Sequence, residues 1–107
     1  MVVLQNEHSF SNAEIFPDAM RARGLAQLIG RSTPGYVIWT WNLSLVDGTR
    51  ARMPMTGAYR LDGTPMENMG EKPDIEVPLP PDDYLNDRDP QIDKAVEILM
   101  NGGLVQH

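Results

Sequence analysis

The chain has 107 residues, with 9 basic and 15 acidic side chains and a formal net charge of −6. That length suits one domain burying about 65% of its unfolded surface, and the 41% hydrophobic content is enough for a core and too high for disorder. The absence of cysteine excludes disulfides, thiol nucleophiles, zinc fingers and iron–sulfur sites, and apolar runs of only four to five residues predict neither a membrane span nor a secretory leader.

The charge is uneven. Residues 1–70 carry six acids and six bases, whereas residues 71–97 carry nine acids against Lys72, Arg88 and Lys94. No basic patch is present to neutralise phosphates, so neither nucleic acid nor a membrane is an expected partner. His8 and His107 stand too far apart to suggest a histidine-rich metal site, and no metal or cofactor is expected.

In chain order, Met1-Val-Val-Leu-Gln5 reads as a buried strand. Nothing precedes it, which suggests one part of a larger domain. Ser11-Asn-Ala-Glu14 has the capping-box pattern, and Ile15, Phe16, Ala19 and Met20 follow with helical spacing up to Gly24, a fit C′ residue. Pro17 predicts a kink unless the helix begins at Phe16. Leu25 to Ile29 reads as a second strand, and Arg31-Ser-Thr-Pro-Gly35 as a loop.

The alternation of Val37, Trp39, Trp41, Leu43 and Leu45 with polar residues predicts a strand with one face in the core. Asp47-Gly48 is a hairpin turn. A second alternating run follows to Leu61, with Pro54 marking an edge or bulge, and Asp62-Gly63 turns the chain again. The result is a β-meander with one buried face. Ile75-Glu-Val77 adds a short strand, and residues 78–90 are an extended surface segment. Asp89 then caps a helix over residues 90–101, with Pro90 at its first position and Ile92, Ala95, Val96 and Leu99 as its apolar stripe.

Several residues invite chemistry. Ser11 fits a helix N-cap, but a serine at a strand–turn–helix junction also sits where amides and dipole stabilise an oxyanion. His8, three residues earlier, lacks an orienting carboxylate and reads as a loop residue. Glu67, in Pro65-Met-Glu-Asn68, reads alone as a solvated turn carboxylate. The acidic run Asp82 to Asp89 lacks the glycine and spacing of a calcium loop. Asn42-Leu-Ser44 fits the glycosylation pattern but falls inside a strand.

Taken together, the pieces are similar to a family. Val3-Leu-Gln-Asn-Glu-His-Ser-Phe-Ser-Asn-Ala-Glu-Ile-Phe16, Ile29-Gly-Arg-Ser-Thr33 with Gly35, Leu45-Val-Asp-Gly48 and Asp62-Gly63 open the series. Met66-Glu-Asn-Met-Gly70, Pro73-Asp-Ile-Glu-Val77 and Asp89-Pro-Gln-Ile-Asp-Lys-Ala-Val96 complete it. In order and spacing they resemble the C-terminal part of the catalytic domain of tail-specific (C-terminal processing) serine peptidases, particularly the tricorn-like branch.

The resemblance implies an α/β fold, the second half of a ClpP/crotonase-like spiral with a mixed sheet, a β-meander and two main helices. It makes residues 1–107 a single partial domain. Ser11 of the Ser-x-Ser-x-x-Glu pattern becomes the nucleophile, the Asn12 amide an oxyanion-hole donor, and Glu67 the carboxylate orienting a histidine. Tyr36 replaces a second glycine and narrows the cleft, while Glu71 replaces an aliphatic residue without catalytic consequence. The general base and the second oxyanion amide belong to upstream sequence in this family. The expected activity is therefore peptide or protein-tail cleavage through an acyl-enzyme at Ser11, absent from the chain alone. Expected partners are a peptide or unfolded-protein substrate, the upstream half of the domain, and further copies of the chain. The alternative is a non-catalytic ligand-binding or interaction module of the same fold. Ser11 and Glu67 are expected on one edge of the sheet, within roughly 12 Å, because relay groups act through contacts near 3 Å.

Overall fold

Two strands whose residues are mostly apolar, β1 (Val2–Gln5) and β2 (Gln27–Gly30), run parallel. Parallel strands need a crossover, and helix α1 (Asn12–Ala22) supplies it. The computed structural model describes residues 1–102, so His107 lies outside the described residues. A two-residue strand, β5 (Ile75–Glu76), adds to the other edge of β2, giving the parallel order β1-β2-β5. The central strand carries the core: Leu28 and Ile29 are wholly buried, joined by Ala26, Val37, Met66 and Ala95. On β1, which has one free edge, Leu4 stays 41% exposed, so that strand is less buried than its apolar sequence predicts.

α1 starts at Asn12, directly after Ser11, and runs on through Pro17. Proline at the sixth helical position forfeits one intrahelical bond, and its ring is buried, which offsets part of that cost. At the other end Gly24 adopts φ 68°, its N–H bonds the Arg21 carbonyl at 2.9 Å, and the Leu25 N–H bonds the Met20 carbonyl at 2.9 Å. This pair of bonds is the Schellman closure.

Strands β3 (Ile38–Ser44) and β4 (Arg50–Gly57) form an antiparallel hairpin. Its turn is fixed by the Gly48 N–H on the Leu45 carbonyl (3.0 Å) and the Thr49 N–H on Asp47 Oδ1 (2.9 Å). The register shifts between Trp39 and Thr40, opposite Pro54, so the bulge falls beside the proline, where the missing donor costs least. The hairpin departs from expectation in two ways. The third strand of the meander shrinks to a single bridge, Tyr59 with Pro65, and the hairpin forms a sheet separate from the parallel one. Its apolar face is also uncovered, with Trp39 49% and Trp41 60% exposed, so neither tryptophan is a core residue. A two-stranded ribbon has no layer of its own to pack against.

Residues 78–90 run along the surface as expected but are not extended throughout. Pro81–Leu85 form a short helix, α2, with Pro81 at its start and Asp82 and Asp83 in its first turn, both favourable at a helix N-terminus. The last helix, α3 (Pro90–Met100), packs on β1 and β2. Its N-cap is Asp89, whose Oδ1 accepts from the N–H groups of Gln91 (3.0 Å) and Ile92 (3.1 Å).

The molecule is flat, 59 × 37 × 16 Å, with a radius of gyration of 17.2 Å against about 13 Å for a compact chain of this length. Its accessible surface is 7459 Å², where a folded monomer of this mass exposes about 6,000 Å². Replacing the α3 cap, Asp89→Ala, should lower stability in urea by about 1 kcal/mol, and Asp89→Asn should restore most of it. Equal midpoints for the alanine variant and wild type would show the cap to be dispensable.

Candidate functional site

After β1 the chain reverses through a turn in which the Ser9 N–H bonds the Asn6 carbonyl (3.0 Å) and the His8 N–H bonds Asn6 Oδ1 (2.8 Å). This delivers Ser11 to the strand–helix junction, as the sequence predicts. Ser11 has φ 58° and ψ −119°, a conformation unlike the extended backbone of an ordinary N-cap. For a residue with a Cβ it costs on the order of 1–3 kcal/mol. The capping-box arrangement of Ser11 and Glu14 is present on both sides, yet the Ser11 side chain makes no cap hydrogen bond of normal geometry. Glu14 Oε2 accepts the Ser11 N–H at 3.1 Å, while the Ser11 hydroxyl makes no capping bond. The Asn12 N–H likewise donates to no group among the described residues.

Glu14 is 1% exposed and serves the loop after β2 as well. Its Oε1 accepts from the Thr33 hydroxyl (2.5 Å) and the Gly35 N–H (2.7 Å), and its Oε2 from the Tyr36 N–H (2.8 Å). Gly35 has φ 85°, and a Cβ there would lie 2.8 Å from the Gly70 nitrogen; no larger residue fits. Its carbonyl accepts the Asn68 N–H at 2.7 Å, which pins the turn carrying the half-buried Glu67.

Ser11 and Glu67 line one cavity of about 360 Å³, walled by Phe10 and Tyr36 on one side and by Ile38, Thr40 and Arg52 of the hairpin on the other. Tyr36 lines this cleft, its ring set edge-on to Phe10 with centroids 6.4 Å apart. Arg52 is held by Thr40 Oγ1 at 3.0 Å. His8 is not part of the cavity; its side chain is 85% exposed beside Glu7. A larger cavity of about 460 Å³ lies between α1 and the hairpin, lined by Ile15, Trp39, Tyr59 and Met66 among others, and does not include Ser11. Among the described residues no cluster of three or more His, Cys, Asp or Glu could hold a metal ion.

Residues 1–77 match the protein family described as Peptidase family S41. The chain belongs to peptidase family S41. It is 37% identical to the tricorn protease of Thermoplasma acidophilum and 39% identical to the tricorn protease homolog of Saccharolobus solfataricus, each over 94% of this chain and 10% of the relative. The crystal structure of the tricorn protease superposes on 94% of this chain, and 10% of its own, with a TM-score of 0.87 at 36% identity. The chain thus spans about a tenth of the length of the curated relatives it matches. The tricorn-like resemblance and the α/β fold read from the sequence are both those of this family.

In this S41 chain several residues matter more than their sequence positions suggest. Glu71, read as an incidental replacement, is 1% exposed and meets Arg21 and Arg60, the latter at 2.9 Å. Its N–H bonds Thr33 Oγ1 at 2.7 Å, so one threonine hydroxyl joins the Glu14 carboxylate to the backbone of Glu71. Glu14 was legible only as a capping partner, and nothing in the local pattern marks Arg52 or Thr40 as cavity residues. Their placement depends on how the hairpin folds over the serine.

Burial pushes the Glu71 carboxyl above its ordinary value of 4.5; Asp18 adds to the shift, and Arg60 and Arg21 oppose it. The native state therefore keeps this proton to higher pH than the unfolded chain does. The associated stability is present below the ordinary value and is lost as pH rises through the raised one. Urea melts of wild type and Glu71→Gln from about pH 4 to 7 should show the difference moving against wild type as pH rises. Movement in its favour would mean that the two arginines outweigh burial.

Proposed function

We propose that this chain carries the nucleophile side of a serine peptidase site. It forms the C-terminal half of a catalytic domain whose general base comes from another segment. The observation that carries this reading is the state of Ser11: a strained backbone at a helix N-terminus, an uncapped hydroxyl, and a cavity shared with Glu67.

In the reaction, Ser11 Oγ attacks the carbonyl carbon of the scissile peptide while a base takes its proton. Negative charge gathers on the carbonyl oxygen, where the free Asn12 N–H at the start of α1 can donate to it. The same base returns the proton to the leaving amine, and water then releases the acyl group from Ser11. Glu67, with no hydrogen-bond partner among the described residues, is available to orient a histidine brought to the cavity. The uncovered face of the hairpin is the surface on which the remaining half of the domain rests, and further copies assemble from there. The substrate is a peptide or an unfolded protein tail, in keeping with the proteases whose sequences this chain matches.

The chain alone should show no cleavage of casein or a fluorogenic peptide. A site without its base retains only the roughly 10³–10⁴-fold contribution of oxyanion hole and binding, and half of that hole is supplied elsewhere. Sedimentation should give a dimer or larger species, since exposed strand edges and apolar faces pair. A fluorophosphonate at high concentration should label Ser11 slowly, and mass spectrometry should find no adduct in Ser11→Ala. A monodisperse monomer that cleaves peptide and loses that activity in Ser11→Ala would refute the missing base. Labelling spread evenly over other serines would refute Ser11 as nucleophile and favour a non-catalytic binding module.

A further inference from the structure

We propose that Glu14 is the positioning residue of this site, its single buried carboxylate setting the Ser11 backbone and its registry with the turn that carries Glu67. The inference rests on the reading of Ser11 as nucleophile for its importance, but not for its geometry. An ionised carboxylate accepts about four hydrogen bonds, and Glu14 receives four: from the Ser11, Gly35 and Tyr36 N–H groups and from the Thr33 hydroxyl. No cation stands within ion-pair distance of it among the described residues. All of its acceptor capacity therefore serves to align two loops.

The two ends of the carboxylate have separate tasks. Oε1 holds Thr33 and Gly35, and the Gly35 carbonyl in turn holds Asn68, next to Glu67. Oε2 holds Tyr36 and Ser11. Because the Ser11 N–H is drawn inward to Oε2, its φ stays positive, and the following amide of Asn12 is left without an internal partner. A capping role alone would need only the Ser11 bond. The three bonds to the Thr33–Tyr36 loop are what a clamp between Ser11 and Glu67 requires.

Glutamine separates these tasks. Whichever way its amide turns, the NH₂ group must face an N–H donor: those of Tyr36 and Ser11 in one orientation, or that of Gly35 in the other, where the Thr33 hydroxyl can turn to accept. Amide hydrogen exchange followed by NMR on the full chain reads this directly. In Glu14→Gln either the Ser11 and Tyr36 amides or the Gly35 amide should lose protection by about tenfold or more, while the β2 amides of Leu28 and Ile29 keep theirs. The rate of fluorophosphonate labelling at Ser11 should fall alongside. Unchanged protection at all three amides would overturn the proposal. Should Glu14→Gln fail to fold, wild type decides: the Ser11 amide must exchange at least about tenfold more slowly than the unpartnered Asn12 amide, and equal rates would overturn it. If the exchange pattern holds but Ser11 never labels, the peptidase reading fails while the positioning by Glu14 stands.

Discussion

A carboxylate enclosed by protein and facing only neutral donors can remain buried only if every donor keeps its place. The four bonds to Glu14 impose that condition on the whole upper edge of the parallel sheet. The Thr33 hydroxyl, having given its proton to Glu14, accepts from the Glu71 N–H, and the Thr33 N–H returns a bond to the Glu71 carbonyl at 3.1 Å. Glu71 then reaches Arg21 on α1 and Arg60 beside the second turn. The two buried carboxylates differ in kind, one satisfied by dipoles and the other by two guanidinium groups. Thr33 ties the Glu14 carboxylate to the Glu71 backbone, so the helix, the loop after β2 and the Glu67 turn cannot shift independently. Charge-assisted bonds of this kind are individually the strong ones.

The flat shape follows from where the apolar residues went. Among the described residues the buried apolar core is six side chains, four of them around Leu28 and Ile29, and α3 presents Ile92, Val96 and Leu99 about half exposed along its stripe. The hairpin reaches away from the sheet with both tryptophans open to solvent. At about 25 cal/mol per Å² of apolar surface, covering such a face is a large driving force. Internal polar networks therefore carry more of the order in this chain than its hydrophobic content alone would suggest.

Local signals in the sequence were read correctly where the structure is local. The Asp89-Pro90 start of α3, the Gly24 end of α1, both Asp-Gly turns and the bulge at Pro54 follow from residues within a few positions of one another. Ser11 at the junction and Glu67 in the same cavity were legible as well, but through an ordered set of motifs and not through periodicity. The errors came from tertiary context. Alternation in Val37 to Leu45 reports that one face wants cover, not that cover is present, so Trp39 and Trp41 looked like core. Pro81 lies in the stretch 78–90 that reads as extended, although the first turn of a helix accepts a proline. The local pattern understates Glu14 and Glu71 because their partners, Thr33 to Tyr36 and Arg21 with Arg60, lie far away in the chain.

The pattern of satisfied and unsatisfied groups around the serine has its own logic. Across residues 5 to 14 and 31 to 36, Gln5 Nε2 is bonded to two carbonyls, Asn6 closes the turn, and Glu14 and Thr33 are saturated. Buried and half-buried polar groups normally find partners. The exceptions here, among the described residues, include the buried Gln5 Oε1 and, at the cavity, the Ser11 hydroxyl, the Asn12 N–H and the Glu67 carboxylate. If these were merely surface groups, nothing would require the backbone beside them to be strained. Ser11 nevertheless holds φ 58° against its own Cβ, and the bond that holds it there comes from the most heavily engaged side chain nearby. Strain maintained by a dense network, next to groups left open, is the arrangement that preorganises a site. In an ordinary helix cap the serine hydroxyl would have closed on the helix, and no buried carboxylate would be needed.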